Sequence, residues 1–313
     1  MITVGIVGCG KIADQHAACI ERIANSRMVA ACDKEELMAK QFAERFRVAN
    51  YFDDITTLLL KAKPDVVHIT TPPQSHFMLG KKSLEAGCNV YIEKPFTLNT
   101  AEAQTLIDIA KQKDLKLTAG HNLQFGHASR RMRQAIKEGY LGGPPIHMES
   151  YYGYDLGDAR YAKALLGDKN HWVRALPGRL MHNLISHGIS RIAEFLISDT
   201  PQVVLTGFTS SLLRSIGEDD IIDELRVIID DGGKSTAYFT FSTKMRPVLR
   251  QFRVFGPRNA LVVDDDKDTL IRLRGTAYKS YLEQFIPPFT FAGQYLSNAT
   301  YAVSYTHLTL PTN

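Results

Sequence analysis

The stretch that decides the fold is Ile2–Ala13, ITVGIVGCGKIA. Its first six residues, Ile2–Val7, form the short apolar run typical of a buried strand, and a helical pattern begins at Lys11. The junction between them, Gly8–Ala13, fits the spacing GxGxxA. Glycines at such a junction allow a tight turn and let the backbone approach a pyrophosphate, whose charge the helix N-terminus attracts. The stretch therefore predicts a dinucleotide-binding βα unit.

A carboxylate stands at the spacing expected for this kind of site. Asp33 ends the next predicted strand, 23 residues after Gly10, near the roughly 20 expected for a residue that binds ribose hydroxyls. Its charge would repel a 2′-phosphate, which favours NAD, while the neighbouring Lys34 leaves NADP open. The cofactor contacts predicted here are Gly8, Gly10, Lys11, Ile12 and Asp33.

Alternating strand and helix patterns extend this unit over residues 1–121. The further strands predicted are Met28–Asp33, Asp65–Thr70, Asn89–Ile92 and Leu115–Ala119, and the helices are Lys11–Ala24, Glu35–Phe46, Phe77–Ala86 and Thr100–Gln112. Short strands separated by helices of this length indicate a buried parallel sheet. The expected fold class is α/β, with an N-terminal Rossmann doubly wound parallel sheet forming an NAD(P)-binding domain.

The pattern changes after residue 121. Helices are predicted over Ala128–Glu138 and Leu180–Leu196, with a strand over Ile146–Tyr154. The later runs predict strands in series: Gln202–Ser210, Glu224–Ile229, Ser235–Ser242, Val248–Phe255, Leu261–Val263 and Thr269–Leu273. Such a series favours an open, mostly antiparallel sheet with helices on one face. We expect residues 122–302 to form an α+β domain for substrate binding and oligomerisation.

Composition excludes several classes of protein. The 313 residues are 44% hydrophobic and 22% charged, as in a soluble globular protein. No apolar run approaches the roughly 20 residues that span a membrane, and no signal peptide precedes the first strand, so we expect a cytoplasmic protein. A net charge of +4 without a basic stripe argues against nucleic-acid binding. The four cysteines lack metal-ligand spacing and predict free thiols and no metal site: Cys9, Cys19, Cys32 and Cys88.

Two more motifs follow predicted strands, at the edge where open α/β sheets bind ligands. They are the TPP…H loop, Thr71–His76, and the triplet Glu93-Lys94-Pro95. With the GxGxxA turn and Asp33, these motifs resemble the glucose–fructose oxidoreductase, inositol dehydrogenase and MocA (Gfo/Idh/MocA) family over nearly all of residues 1–302.

The resemblance implies roles for these motif residues. Lys94 is expected near the nicotinamide and the substrate, as a proton donor or hydrogen-bonding cation, and Glu93 to position the cofactor. Thr71, Pro72 and His76 join the expected cofactor contacts. The alternative for Glu93 and Lys94 is a surface ion pair at a strand end.

The family's second element is a helix that carries DxGxH. Here the matching stretch runs from Asn183 to His187, so Asn183 replaces the usual aspartate. Residues four apart share a helix face, and an amide can hydrogen-bond a substrate hydroxyl although it cannot act as a base. His187 is therefore the main acid/base candidate, with a core histidine as the alternative.

A third stretch resembles the family's NxRF junction. Asn122 matches its asparagine and is expected at the nicotinamide or substrate, whereas Gln124 replaces the arginine. His121 and Trp172 are further substrate candidates, each with a structural role as the alternative. Five arginines are candidates for a substrate phosphate, with a solvated surface as the alternative: Arg130, Arg131, Arg133, Arg174 and Arg179.

Together these residues imply an NAD(P)-dependent dehydrogenase acting on CH–OH groups of a sugar, cyclitol or nucleotide sugar. Reduction of a ketone, imine or enone by the same groups is an alternative, as is a non-catalytic NAD(P)-binding regulator. An open antiparallel sheet, and the family's habit, also imply a homodimer or homotetramer through the C-terminal sheet.

The end of the chain is expected to lie outside the fold. Val303–Asn313 has no charged residue and no helical period, and its first ten residues resemble the translation of a sequencing adaptor, with a natural extended tail as the alternative. This interpretation implies that the natural chain continues past Ala302 and that the family's final helix is missing.

Overall fold

The computed structural model describes residues 1–156, 167–276 and 281–309. The chain divides into two compact units, Met1–Gly120 and His121–Asn313. This division falls one residue before the boundary expected from the sequence.

The first unit is built on a six-stranded parallel sheet. Its strands are β1 (Ile2–Val7), β2 (Ser26–Cys32), β3 (Asn50–Phe52), β4 (Val66–Ile69), β5 (Asn89–Ile92) and β6 (Leu117–Ala119). Its helices are α1 (Lys11–Ile20), α2 (Glu36–Arg45), α3 (Ile55–Ala62), α4 (His76–Glu85) and α5 (Thr100–Gln112). The strand order β3-β2-β1-β4-β5-β6 reverses between β1 and β4, which confirms the doubly wound sheet. One apolar cluster packs around Leu84 and Leu106, and another around Phe42.

Two elements of the first unit were not predicted, β3 and α3. The strand β3 has only three residues at the edge of the sheet, and none of them is buried, so no alternation marks it. The helix α3 does carry a start signal, because the Asp54 carboxylate accepts a hydrogen bond from the N–H of Thr57 at 2.9 Å, as an N-cap does.

The second unit contains a seven-stranded sheet. Its strands are β7 (His147–Gly153), β8 (Gln202–Phe208), β9 (Glu224–Asp230), β10 (Thr236–Ser242), β11 (Arg250–Phe255), β12 (Asn259–Asp264) and β13 (Thr269–Arg274). The described helices are α6 (His127–Lys137), α7 (Arg179–Leu184), α8 (Ser186–Ala193), α9 (Ser211–Ser215) and α10 (Leu282–Thr309). The order is β13-β12-β11-β7-β10-β9-β8. All pairs are antiparallel except β7 with β10, which confirms the mostly antiparallel sheet.

The two faces of this sheet differ. On one face α8 packs closely on β7 and β10, where a Cβ on Gly188 would overlap the ring of Phe239. On the other face a cross-strand row joins Val204, Ile228 and Tyr238, which are 68%, 53% and 47% exposed. We call the face that bears this row the open face.

The single helix predicted over Leu180–Leu196 is wrong. Two helices, α7 and α8, meet at Ile185. The backbone of Ile185 keeps right-handed helical angles, and its N–H donates to the carbonyl of Met181 at 2.9 Å. The division is therefore a local irregularity, one that hydrophobic periodicity does not reveal.

The helix α10 contradicts the expectation for the end of the chain. It includes Pro287 and Pro288 and continues to Thr309, through seven residues for which the sequence predicts no helix. Residues 310–313 lie outside the described part, and the adaptor interpretation stays a prediction. No helix within the described residues is long and apolar enough to cross a membrane.

Two side-chain amides of α10 bind the outer edge of β13. The Gln294 amide accepts from the N–H of Arg272 at 2.7 Å and donates to its carbonyl at 3.1 Å. Asn298 pairs with Leu270 in the same way, at 3.2 and 2.9 Å. Four residues along α10 and two residues along β13 span similar lengths. Both amides can therefore pair with the backbone of β13 at once and close its edge.

Candidate functional site

The motif residues of the first unit lie side by side along the carboxyl edge of its sheet. The strands β1, β4, β5 and β6 are neighbours, and backbone hydrogen bonds continue just beyond them. These bonds run from Thr70 N–H to Val7 O (2.8 Å), from Glu93 N–H to Ile69 O (2.9 Å) and from Gly120 N–H to Ile92 O (2.8 Å). The glycine turn, the TPP loop and the EKP triplet are thus aligned by the backbone itself.

The two glycines of the turn, Gly8 and Gly10, have different structural roles. Gly8 has φ of +95°, and a Cβ there would lie 2.7 Å from the Thr71 methyl group, so only glycine fits. A Cβ on Gly10 would meet no atom of the described chain within 4 Å, and no described side chain caps the first turn of α1. Open space above uncapped N–H groups fits a pyrophosphate held by Gly10, Lys11 and Ile12.

The Asp33 carboxylate is fixed beside this turn. One oxygen accepts from the N–H of Cys9 at 2.8 Å, and the other accepts from the N–H of Glu35 at 3.1 Å. Cys9 lies between the two turn glycines, so the carboxylate is bound to the turn itself. This arrangement fits a group that binds an adenosine ribose next to the pyrophosphate.

The side chain of His76 has a structural role, and its contact with a cofactor stays a prediction. The side chain is fully buried. Its Nδ1 lies 2.8 Å from the carbonyl oxygen of Pro95, and its Nε2 lies 2.8 Å from that of Thr71. His76 therefore ties the TPP loop to the EKP loop and positions both.

Glu93 and Lys94 are partly buried, which does not fit the alternative of a surface pair. One Glu93 oxygen accepts from the backbone N–H of Lys94 at 3.1 Å. Burial lowers the pKa of the Lys94 ammonium, and the Glu93 charge opposes that effect. The arrangement gives a lysine whose neutral form is easier to reach than in water.

Sequence reasoning missed His16 and His68. The Nε2 of His16 lies 3.0 Å from the second Glu93 oxygen, and its Nδ1 lies 2.9 Å from the Nδ1 of His68. The one signal in the sequence is the place of His16 on α1, next to the buried positions Ala13 and Ala17. Nothing local points to its partners, since they come from β4 and from the end of β5.

In the second unit, Asn183 and His187 lie on consecutive helices, α7 and α8. Asn183 is buried. The ring of His187 stacks on Tyr152 at 5.2 Å between centroids and 15° between planes, and the Arg250 guanidinium lies 5.6 Å from the same tyrosine ring. Burial raises the pKa of Tyr152 to about 12. The stack fixes the imidazole plane and supplies the structural role of His187, while its catalytic role stays a prediction.

The junction residues are spread over the surface and one shallow cavity. Asn122 is exposed, and the Gln124 amide donates to the carbonyl of Ser190 at 3.0 Å. His121 lines a cavity of about 540 Å³ together with Ser186 of α8. Trp172 is half-buried next to the ring of His171. The second unit alone does not gather these side chains into one site.

Most of the candidate phosphate-binding arginines already have partners. The ion pairs are Arg133 with Glu194, Arg174 with Glu218, and Arg179 with Asp220. Arg131 donates to the Asn298 amide at 3.0 Å, and Arg130 is exposed. Paired guanidinium groups favour the surface alternative over a phosphate site.

The described residues include no cluster of three or more histidine, cysteine or acidic side chains that could hold a metal ion. All four cysteines are free. Burial raises the pKa of Cys9 and of Cys32 to about 12, so both remain protonated thiols at neutral pH.

Comparison with known proteins agrees with the geometry of the first unit. Residues 2–121 match the model of the Gfo/Idh/MocA group, described as an oxidoreductase family with an NAD-binding Rossmann fold. The first unit is therefore similar to the NAD-binding domain of this family, and the match stops where the second unit begins.

Curated relatives of this chain include two sugar dehydrogenases. The D-glucoside 3-dehydrogenase of Escherichia coli K12 is 32% identical over 142 residues, which are 45% of this chain and 40% of that one. The UDP-N-acetylglucosamine 3-dehydrogenase of Acidithiobacillus ferrooxidans is 34% identical over 146 residues, 47% and 44% of the two chains. The alignments thus span less than half of these relatives.

A solved structure extends the likeness in fold to the second unit. The UDP-N-acetylglucosamine 3-dehydrogenase from Acidithiobacillus ferrooxidans superposes with a TM-score of 0.71 at 23% identity, covering 90% of this chain and 79% of that one. At this identity the match shows a shared fold and nothing about substrate.

Proposed function

We propose that this chain is a member of the Gfo/Idh/MocA family and an NAD-dependent dehydrogenase that oxidises a secondary hydroxyl of a sugar, cyclitol or nucleotide sugar. The observation that carries the proposal is the carboxyl edge of the first sheet, which aligns the glycine turn, the Asp33 carboxylate and Lys94. The sugar dehydrogenases among its relatives support the substrate class.

The preference for NAD rests on Asp33. Its two oxygens are held by backbone N–H groups next to the turn, so a 2′-phosphate placed there would meet a fixed negative charge. The test is a titration of NAD and NADP against Asp33→Ala, with Asp53→Ala as the control. We expect the variant to gain at least about 10-fold in its NADP-to-NAD affinity ratio. An unchanged ratio would contradict the assignment.

The chemistry requires a base and a group that orients the substrate oxygen. A bound nicotinamide supplies the hydride acceptor. We propose that Lys94 binds the substrate oxygen, because its lowered pKa makes it a better proton carrier near neutral pH than an exposed lysine. His187 is proposed to take the hydroxyl proton, and Asn183 to bind a neighbouring hydroxyl.

The decisive test is turnover of a panel of sugars, polyols and nucleotide sugars, read as NADH absorbance. Lys94→Met should lower kcat by at least about 100-fold while leaving the Kd for NAD little changed. Lys116→Met is the matched control, because Lys116 precedes β6 at the opposite edge of the sheet. A Lys94→Met variant with normal turnover would remove Lys94 from the mechanism.

The same panel separates the alternatives. Turnover only in the presence of NADH and a ketone, imine or enone would favour the reductase. Calorimetric binding of NAD with no turnover on any compound would favour the regulator.

His187 needs a pair of variants because it also packs on Tyr152. His187→Phe keeps an aromatic ring for the stack and removes both nitrogens, whereas His187→Ala removes both functions. We expect both to lose at least about 100-fold in kcat, and only His187→Ala to lose stability as well. Full activity in His187→Phe would leave the histidine with its structural role alone.

For partners, we propose that the open face of the second sheet is covered by a second copy of the chain. Val204, Ile228 and Tyr238 form an exposed row on three adjacent strands, and such rows are usually buried in an interface. Light scattering after size exclusion should give a dimer or tetramer for the wild type and a monomer for Ile228→Lys. A monomeric wild type would refute the proposal.

A further inference from the structure

Two histidines of the first unit, His16 and His68, contact each other through their Nδ1 atoms next to the EKP triplet. The Nδ1 atoms of His16 and His68 are 2.9 Å apart, and the Nε2 of His16 is 3.0 Å from the Glu93 carboxylate. The side chains of His16 and Glu93 are 10% and 14% exposed. A short nitrogen–nitrogen contact holds one hydrogen, so each ring constrains the tautomer of the other.

The hydrogen positions follow from the partners. The ionised Glu93 carboxylate only accepts, so the Nε2 of His16 must donate to it. Burial lowers the pKa of His68 to about 4, so His68 is neutral and carries one hydrogen. When His16 is also neutral, its Nδ1 accepts and the Nδ1 of His68 donates.

Ring packing keeps this geometry in place. His68 stacks on Tyr91 at 4.8 Å and 10°, and His16 meets both rings edge-on at 5.2 and 5.1 Å. Gly120 lets Glu93 and Tyr91 approach, because a Cβ there would lie 2.8 Å from a Glu93 oxygen and 3.1 Å from the Tyr91 hydroxyl. The rings of the histidine pair are therefore held in position beside Glu93.

Glu93 connects the pair to Lys94. The oxygen that does not contact His16 accepts from the N–H of Lys94, and the Glu93 charge favours the ammonium form of that lysine. His16 and the Lys94 backbone therefore hold the two oxygens of one carboxylate. The other titratable groups that face this network are Cys19 of α1, His76 of α4 and Tyr91 of β5.

We propose that His16 is a positioning residue for Lys94: its Nε2–H holds the Glu93 carboxylate against the EKP backbone, and its Nδ1 contact with His68 fixes the tautomer that does so. The inference rests on the proposed dehydrogenase function for its catalytic consequence. The contacts of His16 are a property of the folded chain and do not depend on turnover.

The first test is nitrogen NMR of the full chain labelled at its ten histidines, with His16 and His68 assigned by the signals lost in His16→Gln and His68→Phe. At pH 8 we expect the Nε2–H tautomer for His16 and the Nδ1–H tautomer for His68. An Nε2–H tautomer at His68, or an Nδ1–H tautomer at His16, would overturn the proposal.

The second test is rescue of kcat by a conservative variant at pH 8. His16→Gln keeps an N–H donor for Glu93 and an acceptor for His68, whereas His16→Leu keeps neither. We expect kcat to fall at least about 5-fold in His16→Leu with the Kd for NAD little changed, and less than about 2-fold in His16→Gln and in the control His127→Gln. A His16→Leu variant with the kcat of the wild type would overturn the proposal. A wild type without any turnover would instead refute the dehydrogenase, and the NMR result alone would then decide the positioning role.

Discussion

The two units position their polar side chains by different means. In the first, backbone hydrogen bonds that continue β4, β5 and β6 bring three motifs into line at one edge. In the second, side-chain pairs position the polar groups. Among them are the buried pair of Arg191 with Asp265 and the amides of Gln294 and Asn298, which bind the backbone of β13. Backbone order can be read from spacing in the sequence, whereas side-chain pairs between distant elements cannot. The comparison also predicts which changes each unit will tolerate.

The largest effect is expected at the buried pair of the second unit. Arg191 is 3% exposed and binds both Asp265 and the hydroxyl of Ser129. Arg191→Met leaves a buried carboxylate without its partner and should reduce the free energy of unfolding by about 3–5 kcal/mol. Arg133→Met, which breaks the more exposed pair with Glu194, is the control and should cost less than about 1 kcal/mol in urea unfolding.

This loss should depend on pH. Burial raises the pKa of Asp265 to about 6 in the folded protein, above its value in the unfolded chain, so its contribution to stability is lost as pH rises through that range. Without Arg191 the folded pKa rises further, so the deficit of Arg191→Met should be larger at pH 8 than at pH 5. Equal deficits would show that loss of Arg191 leaves the pKa of Asp265 in the folded protein unchanged.

The first unit should be most sensitive at Gly8, where the backbone itself is constrained. Gly8→Ala combines a left-handed φ with overlap against Thr71 and should cost about 3 kcal/mol. Gly87 has φ of +87° but open space around its Cβ position, so Gly87→Ala should cost only about 1 kcal/mol. Thermal unfolding of both variants measures the difference. Equal losses would mean that packing of the turn against β4 contributes nothing.

A smaller effect is expected where α10 meets β13. Asn298 is 3% exposed, and Asn298→Ala leaves the N–H and carbonyl of Leu270 unpaired, at a cost of about 2 kcal/mol. Gln294 is only half-buried, and water can replace its bonds, so Gln294→Ala should cost about 0.5 kcal/mol. Hydrogen exchange at the Leu270 amide should quicken in the first variant, and unchanged protection there would contradict the edge-closing role.

The smallest effect is expected at the surface of the second unit. The pair of Arg179 with Asp220 is largely exposed, at 41% and 67% of the two side chains. Arg179→Met should change the unfolding free energy by less than about 0.5 kcal/mol. A loss comparable with that of Arg191→Met would show that burial does not determine how much a side-chain pair contributes to the stability of the second unit.

The sequence predicted the fold well wherever local periodicity reflects burial. The bounds of β5 and α5 agree residue for residue with the prediction, because each has a clear apolar pattern and marked ends. The short edge strand β3 and the helix α10, with two internal prolines, carry no such signal. The division at Ile185 depends on packing against the sheet and is equally invisible in one sequence.

The residues of the candidate site also differ in how far the sequence could predict them. The glycine turn and Asp33 could be placed from spacing because they flank strands. Burial of His76 and the contact between His16 and His68 could not, since each depends on which helix face packs on the sheet. A histidine in a motif is as able to join two loops as to bind a ligand, and only its surroundings distinguish these roles.

The closed edge of β13 has a consequence for how copies of the chain can join. Within the described residues, the second sheet has two outer strands, and the amides of α10 occupy the edge of one of them. Edge pairing between copies is then limited to β8 against β8 about a two-fold axis, which uses the last free edge of both. Growth of this sheet from copy to copy stops at two, so a continuous β-filament cannot form through it.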